Sequence, residues 1–438
     1  MSETHAQTVA FVRETMIPEQ EPPLTERGVM KWLRENLFSG WVNILLTLVS
    51  VVVIWAALSH VLPWAFRGIW VADNLNQCRE IRDATYGPGV AAACWAVITE
   101  RWPQLMFGFY PAELYWRPVL AFIVFLVAIL PVLFTELPRK MLWFSVAAPF
   151  IAYWMIWGGS LWGPIVVASG FVLGFFAFTI GSRVIGNLVG VLAAIVLPLL
   201  YWLFLAGSLT DALSSVLPLA IEHVDSKQMG GFMLAIIIGV SGIILSLPLG
   251  ILLALGRQSD LFFINKVSVG FIEMIRGVPL IVWLFTASLL LNYFLPPGTN
   301  FDLMLRVIIM VTLFSSAYIA EVIRGGLAAL PKGQYEAADA LGLDYWKSMR
   351  LIILPQSLKI SIPGIVSTFI GLFKDTTLVV FIGLLDPIGL TNSIRATTDW
   401  NGVYWELFVF VGLLFFVFCF SMGQYSLFLE KKLRREHR

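Results

Sequence analysis

The sequence predicts an all-α polytopic membrane protein on three observations. Of 438 residues, 58% are hydrophobic and only 13% charged, with a mean hydropathy of +0.83, far from the balance of a soluble chain of this length. The apolar residues gather into runs of spanning length, and roughly 20 such residues in a helix cross the hydrocarbon core. Those runs lack the alternation of a strand, and lipid offers backbone N–H and C=O groups no partners, so helices must satisfy them internally.

Ten spans are expected, near 41–62, 118–135, 141–158, 162–181, 184–207, 229–255, 268–295, 303–323, 361–385 and 403–428. An even number puts both termini on one side. Arg27, Lys31 and Arg34 before the first span, Arg139 and Lys140, Arg183, Arg257 and Lys266, and the basic tail 431–438 all fall on that side. An excess of Lys and Arg marks the cytoplasmic face. Residues 1–40 hold scattered Glu and the Pro22–Pro23 pair without the apolar core of a signal peptide, so they read as a retained cytoplasmic tail, with a short interfacial helix over 29–38.

The region 41–210 reads as an accessory transmembrane half. Its loop 63–117 is predicted to be periplasmic, and its rings (Trp64, Trp70, Trp95, Trp102, Tyr110, Tyr115, Trp116) favour the outer headgroup zone. Cys78 and Cys94 lie in this loop, on the predicted oxidising side, while Cys419 lies in the last span. A Cys78–Cys94 disulfide and two free thiols both fit that spacing. Gly170 with Gly174 and Gly186 with Gly190 read as ordinary close packing of helices.

From 229 to 430 the texture changes. Gly242, Ser246 and Gly250 recur every four residues around Pro248, which gives a smooth helix face and a kink. Glu273 with Arg276, and Glu321 with Arg324, each place an acid and a base three apart on one helix face. They read either as interfacial ion pairs that brace helix ends or as a gate. Lys374, Asp375 and Thr376 interrupt an apolar run and so lie deeper, where ionisable groups mark candidate solute pathways.

The insert 331–358 is polar between two spans. Pro331 closes one span, 334–341 favours helix, Gly342 can end that helix with a positive φ, and Asp344 can cap a second helix that Pro355 stops. Ala337 and Ala338 would let a partner's surface approach the backbone, and Glu336 offers it a charge. On periodicity alone, a solvated helical hairpin without a partner is the favoured reading.

Glu336-Ala337-Ala338, Gly342, Ile352, Leu354 and Pro355 at this spacing resemble the signature loop of bacterial ABC-importer permeases. The flanks Ser316–Glu321, Arg324-Gly325-Gly326 and Lys374-Asp375-Thr376 resemble the polar amino-acid branch of that family. With its long N-terminal half, the chain is most similar to the M-type permeases of general L-amino-acid importers. The resemblance implies a permease subunit that moves polar L-amino acids, with broad specificity, across the bacterial inner membrane. It also implies a second related permease, two copies of an ABC ATPase that bind ATP and Mg and dock at Glu336, Ala337, Ala338, Gly342, Leu354 and Pro355, and a periplasmic amino-acid-binding protein. No enzyme activity and no cofactor are expected of this chain itself.

The sequence contains no Gly-rich phosphate loop ending in Lys-Ser/Thr, its four histidines are scattered, and no basic patch suggests nucleic acid. No metal site is expected. An ABC permease for another small solute, such as an opine or a compatible solute, an ion-gradient-driven transporter, and a non-transporting scaffold remain the alternatives on sequence.

Overall fold

The structure, a computed structural model, describes residues 28–134, 136–290 and 302–435. The expected tail over 1–27 and the last residues of the basic tail, 436–438, lie outside the described residues. The helices are α1 (Gly28–Asn36), α2 (Trp41–Phe66), α3 (Leu75–Tyr86), α4 (Ala96–Phe107), α5 (Trp116–Leu133), α6 (Leu142–Trp157), α7 (Trp162–Val184), α8 (Asn187–Leu200) and α9 (Ala206–Val216). They continue as α10 (Gly231–Arg257), α11 (Phe262–Arg276), α12 (Leu280–Phe285), α13 (Leu303–Ala328), α14 (Lys332–Ala340), α15 (Tyr345–Ser348), α16 (Leu354–Asp375), α17 (Pro387–Arg395) and α18 (Trp405–Arg435). Strands β1 (Gly159–Ser160) and β2 (Ala220–Ile221) pair antiparallel, Gly159 opposite Ile221.

Among the described residues, eight helices are long and apolar enough to cross a membrane, and a bent pair raises the number to nine. The remaining expected span, 141–158, is α6, which at 16 residues is too short to count among them. The bent pair corrects the expectation of one straight span over 268–295. Helices α11 and α12 meet at 101°, because Pro279 has no N–H to donate and drives Val278 out of the helical region. The Trp283 indole N–H donates to the Ile275 carbonyl at 3.3 Å across this break, satisfying an acceptor near the end of α11.

Two compact units form. The first runs to Ile69 and includes Arg82–Ala93. No side chain of α1 or α2 is buried; α2 is apolar nearly all round, as suits a helix that meets lipid. Backbone bonds from Ile69 N–H to the Ala93 carbonyl (2.8 Å) and from Ala93 N–H to the Trp64 carbonyl (2.9 Å) tie this unit's two segments together.

The second unit holds Trp70–Ile81 and Cys94–Arg438. Its centre is the pair α10 and α13, which approach through glycines. A methyl group at Gly242 would stand 2.9 Å from Val311 Cγ1, and one at Gly250 2.6 Å from Ile319 Cγ2. Helix α16 joins α13 in the same way, with Gly364 against Val322. Two buried apolar clusters result. One, around Leu234, Ile238, Leu284, Val307 and Val379, lies toward the start of α10. The other, around Ala254, Ile272, Ile319, Ile323 and Ile353, lies toward its end. In the accessory helices, Gly174 lies against Pro198 and Gly190 against Gly181 and Ser182, whereas Gly186 turns the chain with φ +134.

The loop expected to have little core of its own is folded. Ala93, Cys94, Ala96, Val97 and Leu105 are buried, and Cys78 and Cys94 form a disulfide with Cα atoms 6.1 Å apart. A further difference concerns Pro355. The chain does not stop there, because the residue sits in the first turn of α16, where a missing N–H costs nothing. A π-helical turn over Met349–Ile353 carries α15 into α16.

Candidate functional site

The insert forms a knuckle whose geometry follows from its residues. Helix α14 ends in a paired C-cap: Gly342, at φ +68, donates to the Asp339 carbonyl at 2.9 Å and Leu343 to the Ala338 carbonyl at 3.1 Å. That pattern needs a left-handed residue, which glycine supplies without strain. Asp344 then caps α15 by accepting from Lys347 N–H at 2.9 Å. That bond, together with the Lys347 ammonium 2.9 Å away, holds the Asp344 carboxyl below its usual range.

Of the residues singled out for coupling, Glu336, Ala337, Gly342 and Pro355 are exposed and Leu354 is half-buried. Ala338 is buried, so its small side chain serves the chain's own packing and only Ala337 leaves room for a partner. The rest of the knuckle is anchored inward. Met349 and Ile353 pack with Ala254 and Leu255 of α10, Ile272 of α11 and Ile323 and Leu327 of α13, and Gln356 bonds Gln334 at 3.2 Å. A displacement of the knuckle is thereby passed to three spans, since a packed interior yields little.

Beside it the four charged residues come together; Glu321 and Arg324 form the expected i,i+3 pair, whereas Glu273 and Arg276 each turn to another helix. Glu321 of α13 is the hub. It accepts from Arg324 Nε at 2.8 Å, from Arg257 Nη1 at 3.1 Å, and faces Arg276 Nη1 at 3.6 Å. Glu273 turns to Arg257, at 3.0 Å. Arg276 also lies over the Tyr318 ring, 5.6 Å from its centroid. Arg257, the last residue of α10, is the member that spacing within one helix could not reveal; its only sequence signal is a basic residue at a span's end. The cluster links the ends of α10 and α11 to α13, and it can brace them or part.

Lys374, Asp375 and Thr376 lie where α16 gives way to a 3-10 segment over Thr376–Ile382. Phe373 beside them packs on Phe415 and Phe418, at 5.4 and 5.9 Å between ring centroids, three to four turns into α18. Both rings lie well within the length of α18. Lys374 is exposed, Asp375 half-buried and Thr376 buried, the last donating its hydroxyl hydrogen to the Phe373 carbonyl at 2.8 Å. Sequence reasoning missed Thr312 and Ser315 of α13, whose buried hydroxyls have no hydrogen-bond partner among the described residues. Nothing in the spacing of two small polar residues inside an apolar run would have distinguished them. The candidate bridge Cys78–Cys94 is formed. Among the described residues, no group of three His, Cys, Asp or Glu side chains is placed to hold a metal ion.

A membrane bundle with a bent span, a capped helical knuckle anchored on its core and charges at depth has the parts of a solute-conducting subunit driven from outside. Residues 246–435 match the family described as "Binding-protein-dependent transport system inner membrane component". The chain is 55% identical to the "Glutamate/glutamine/aspartate/asparagine transport system permease protein BztC" of Rhodobacter capsulatus, over 98% of this chain and 99% of that one. It is 40% identical to the "Inner membrane amino-acid ABC transporter permease protein YhdY" of Escherichia coli K12, over 92% of each. A solved structure described as "Crystal structure of an amino acid ABC transporter with histidines" aligns at 29% identity over 45% of this chain and 90% of that one, with a TM-score of 0.41. The chain therefore belongs to the family of binding-protein-dependent ABC transporter permeases, multi-span proteins of the inner membrane.

Proposed function

We propose that this chain is the permease subunit of an ATP-driven importer of L-amino acids, with acidic amino acids and their amides foremost. The observation that carries the reading is 55% identity along 98% of the chain to a relative named for transport of those four solutes. A separate ATPase, present in two copies and binding ATP and Mg, grips the exposed Glu336, Ala337 and Gly342; Leu354 and Pro355 stiffen the exit into α16. A second, related permease completes the pathway, and a periplasmic binding protein delivers the solute. Both termini lie in the cytoplasm, as the basic residues at the span ends favour.

Lys374, Asp375 and Thr376 line the pathway in this reading. Their depth and the helix break beside them support it, and a zwitterionic solute carries charges that both side chains can meet. Glu273, Arg276, Glu321 and Arg324, joined by Arg257, form the inner gate. The spans move as rigid bodies between inward- and outward-facing states.

The test is uptake by proteoliposomes holding the complete complex and its binding protein. Labelled glutamate should enter only with ATP present inside for a cytoplasmic-side-in orientation, and unlabelled glutamine and aspartate should compete. Uptake that persists without ATP on an ion gradient, or that no amino acid competes with, would overturn the proposal.

A further inference from the structure

We infer that residues 70–81 and 94–110 form the part of the permease's outer face that receives the solute-binding protein and passes its docking to α10, α17 and α18. This rests on the importer reading above. The disulfide fixes the side: such bridges persist in the oxidising periplasm and not in the cytosol.

Three hydrogen bonds donated by its backbone N–H groups join this segment to the helix ends beneath it. Leu75 N–H donates to the Asp399 carbonyl at 2.8 Å, in the link between α17 and α18, and Phe109 N–H donates to the Gln228 carbonyl at 3.0 Å, just before α10. Cys94 N–H donates to Oε1 of the buried Glu406 at 2.9 Å, in the first turn of α18. At the Phe109–Gln228 junction no side chain intervenes, since a Cβ on Gly108 would stand 2.5 Å from Gly230 Cα. Gly231 N–H in turn donates to the Leu385 carbonyl at 2.8 Å, at the approach to α17. The bridged segment thus moves with the outer ends of three core helices.

Its other side is open and chemically suited to a protein. Val97, Ile98 and Leu105 of α4 are buried, while Thr99, Glu100 and Trp102 are exposed. The Thr99 hydroxyl donates to the Trp70 carbonyl at 3.1 Å, which brings Trp70 and Val71, 58% and 82% exposed, alongside. Arg101 meets Asp399 at 3.8 Å at the edge. Exposed tryptophans rimmed by charge are the composition of a binding hot spot. The family match covers residues 246–435, so this segment lies outside it.

The experiment reads ATP hydrolysis of the complete complex in nanodiscs against binding-protein concentration. Trp102→Glu, an exposed change, should raise the half-saturating concentration by at least about fivefold, the effect of losing one interface anchor, with basal hydrolysis unchanged. Cys78→Ser with Cys94→Ser should lower maximal stimulation while leaving basal hydrolysis intact. An unchanged half-saturating concentration in Trp102→Glu overturns the inference, and if that variant alters only membrane yield, the face meets lipid headgroups instead. A wild-type complex indifferent to every binding protein would overturn the importer reading itself.

Discussion

Glu321 has more depending on it than any other side chain described. It faces three guanidinium groups, and its side chain is only 22% exposed. Glu321→Ala should cost about 2 kcal/mol, because it leaves Arg257, Arg276 and Arg324 crowded around Glu273 alone. Glu273→Ala, at a side chain 56% exposed, should cost under ~1 kcal/mol; thermal unfolding in detergent compares the two, and equal losses would remove Glu321 as hub. Asp386 offers a second residue-scale prediction. It lies outside the spans, fully buried at the start of α17, where it accepts from Gly389 N–H at 2.8 Å and Ile388 N–H at 3.1 Å. Burial nevertheless raises its pKa from 3.8 to about 6. The folded chain therefore keeps a proton that the unfolded chain has lost, so this contribution to stability is full below the lower value and disappears as pH rises through the higher one. Asp386→Asn retains an acceptor for the cap and should flatten the fall in Tm between those pH values; an unaltered pH profile would refute the assignment.

At the scale of elements, close approach and bending carry the design. Gly250→Val on α10 would drive methyl groups into Ile319 of α13 and should cost roughly 1–3 kcal/mol, seen as a lower Tm. Gly342→Asp forces a side chain into φ +68, at a cost of ~1–2 kcal/mol. Membrane insertion should survive while solute-stimulated ATP hydrolysis is lost, which a hydrolysis assay on the reconstituted complex checks. The knuckle was legible in the sequence because Gly342 and Asp344 are residues that caps require. The α11–α12 bend was not read, although Gly277 and Pro279 were there to be seen, because the flanking apolar residues fill out the length of one unbroken span.

For the whole molecule, Glu336→Lys should leave the chain in the membrane and abolish stimulated hydrolysis, since Glu336 is exposed where a partner would meet it. Asp375→Asn should lower glutamate uptake by about tenfold, or ~1.4 kcal/mol of barrier, with assembly unchanged. Composition made the helical membrane class plain, as apolar runs admit no other solution in lipid. What composition could not give is which helices touch: Arg257 meeting Glu321, or Cys94 meeting Glu406, depends on neighbours far apart in the chain. One such arrangement has mechanical weight. Helix α16 runs from the end of the knuckle to Asp375, 22 residues with Pro363 inside it, or about 33 Å at the helical rise. Under the proposed function it acts as a lever arm between the insert and Asp375, and a swing of only ~10° at its base would carry the far end roughly 6 Å, about the width of an amino acid.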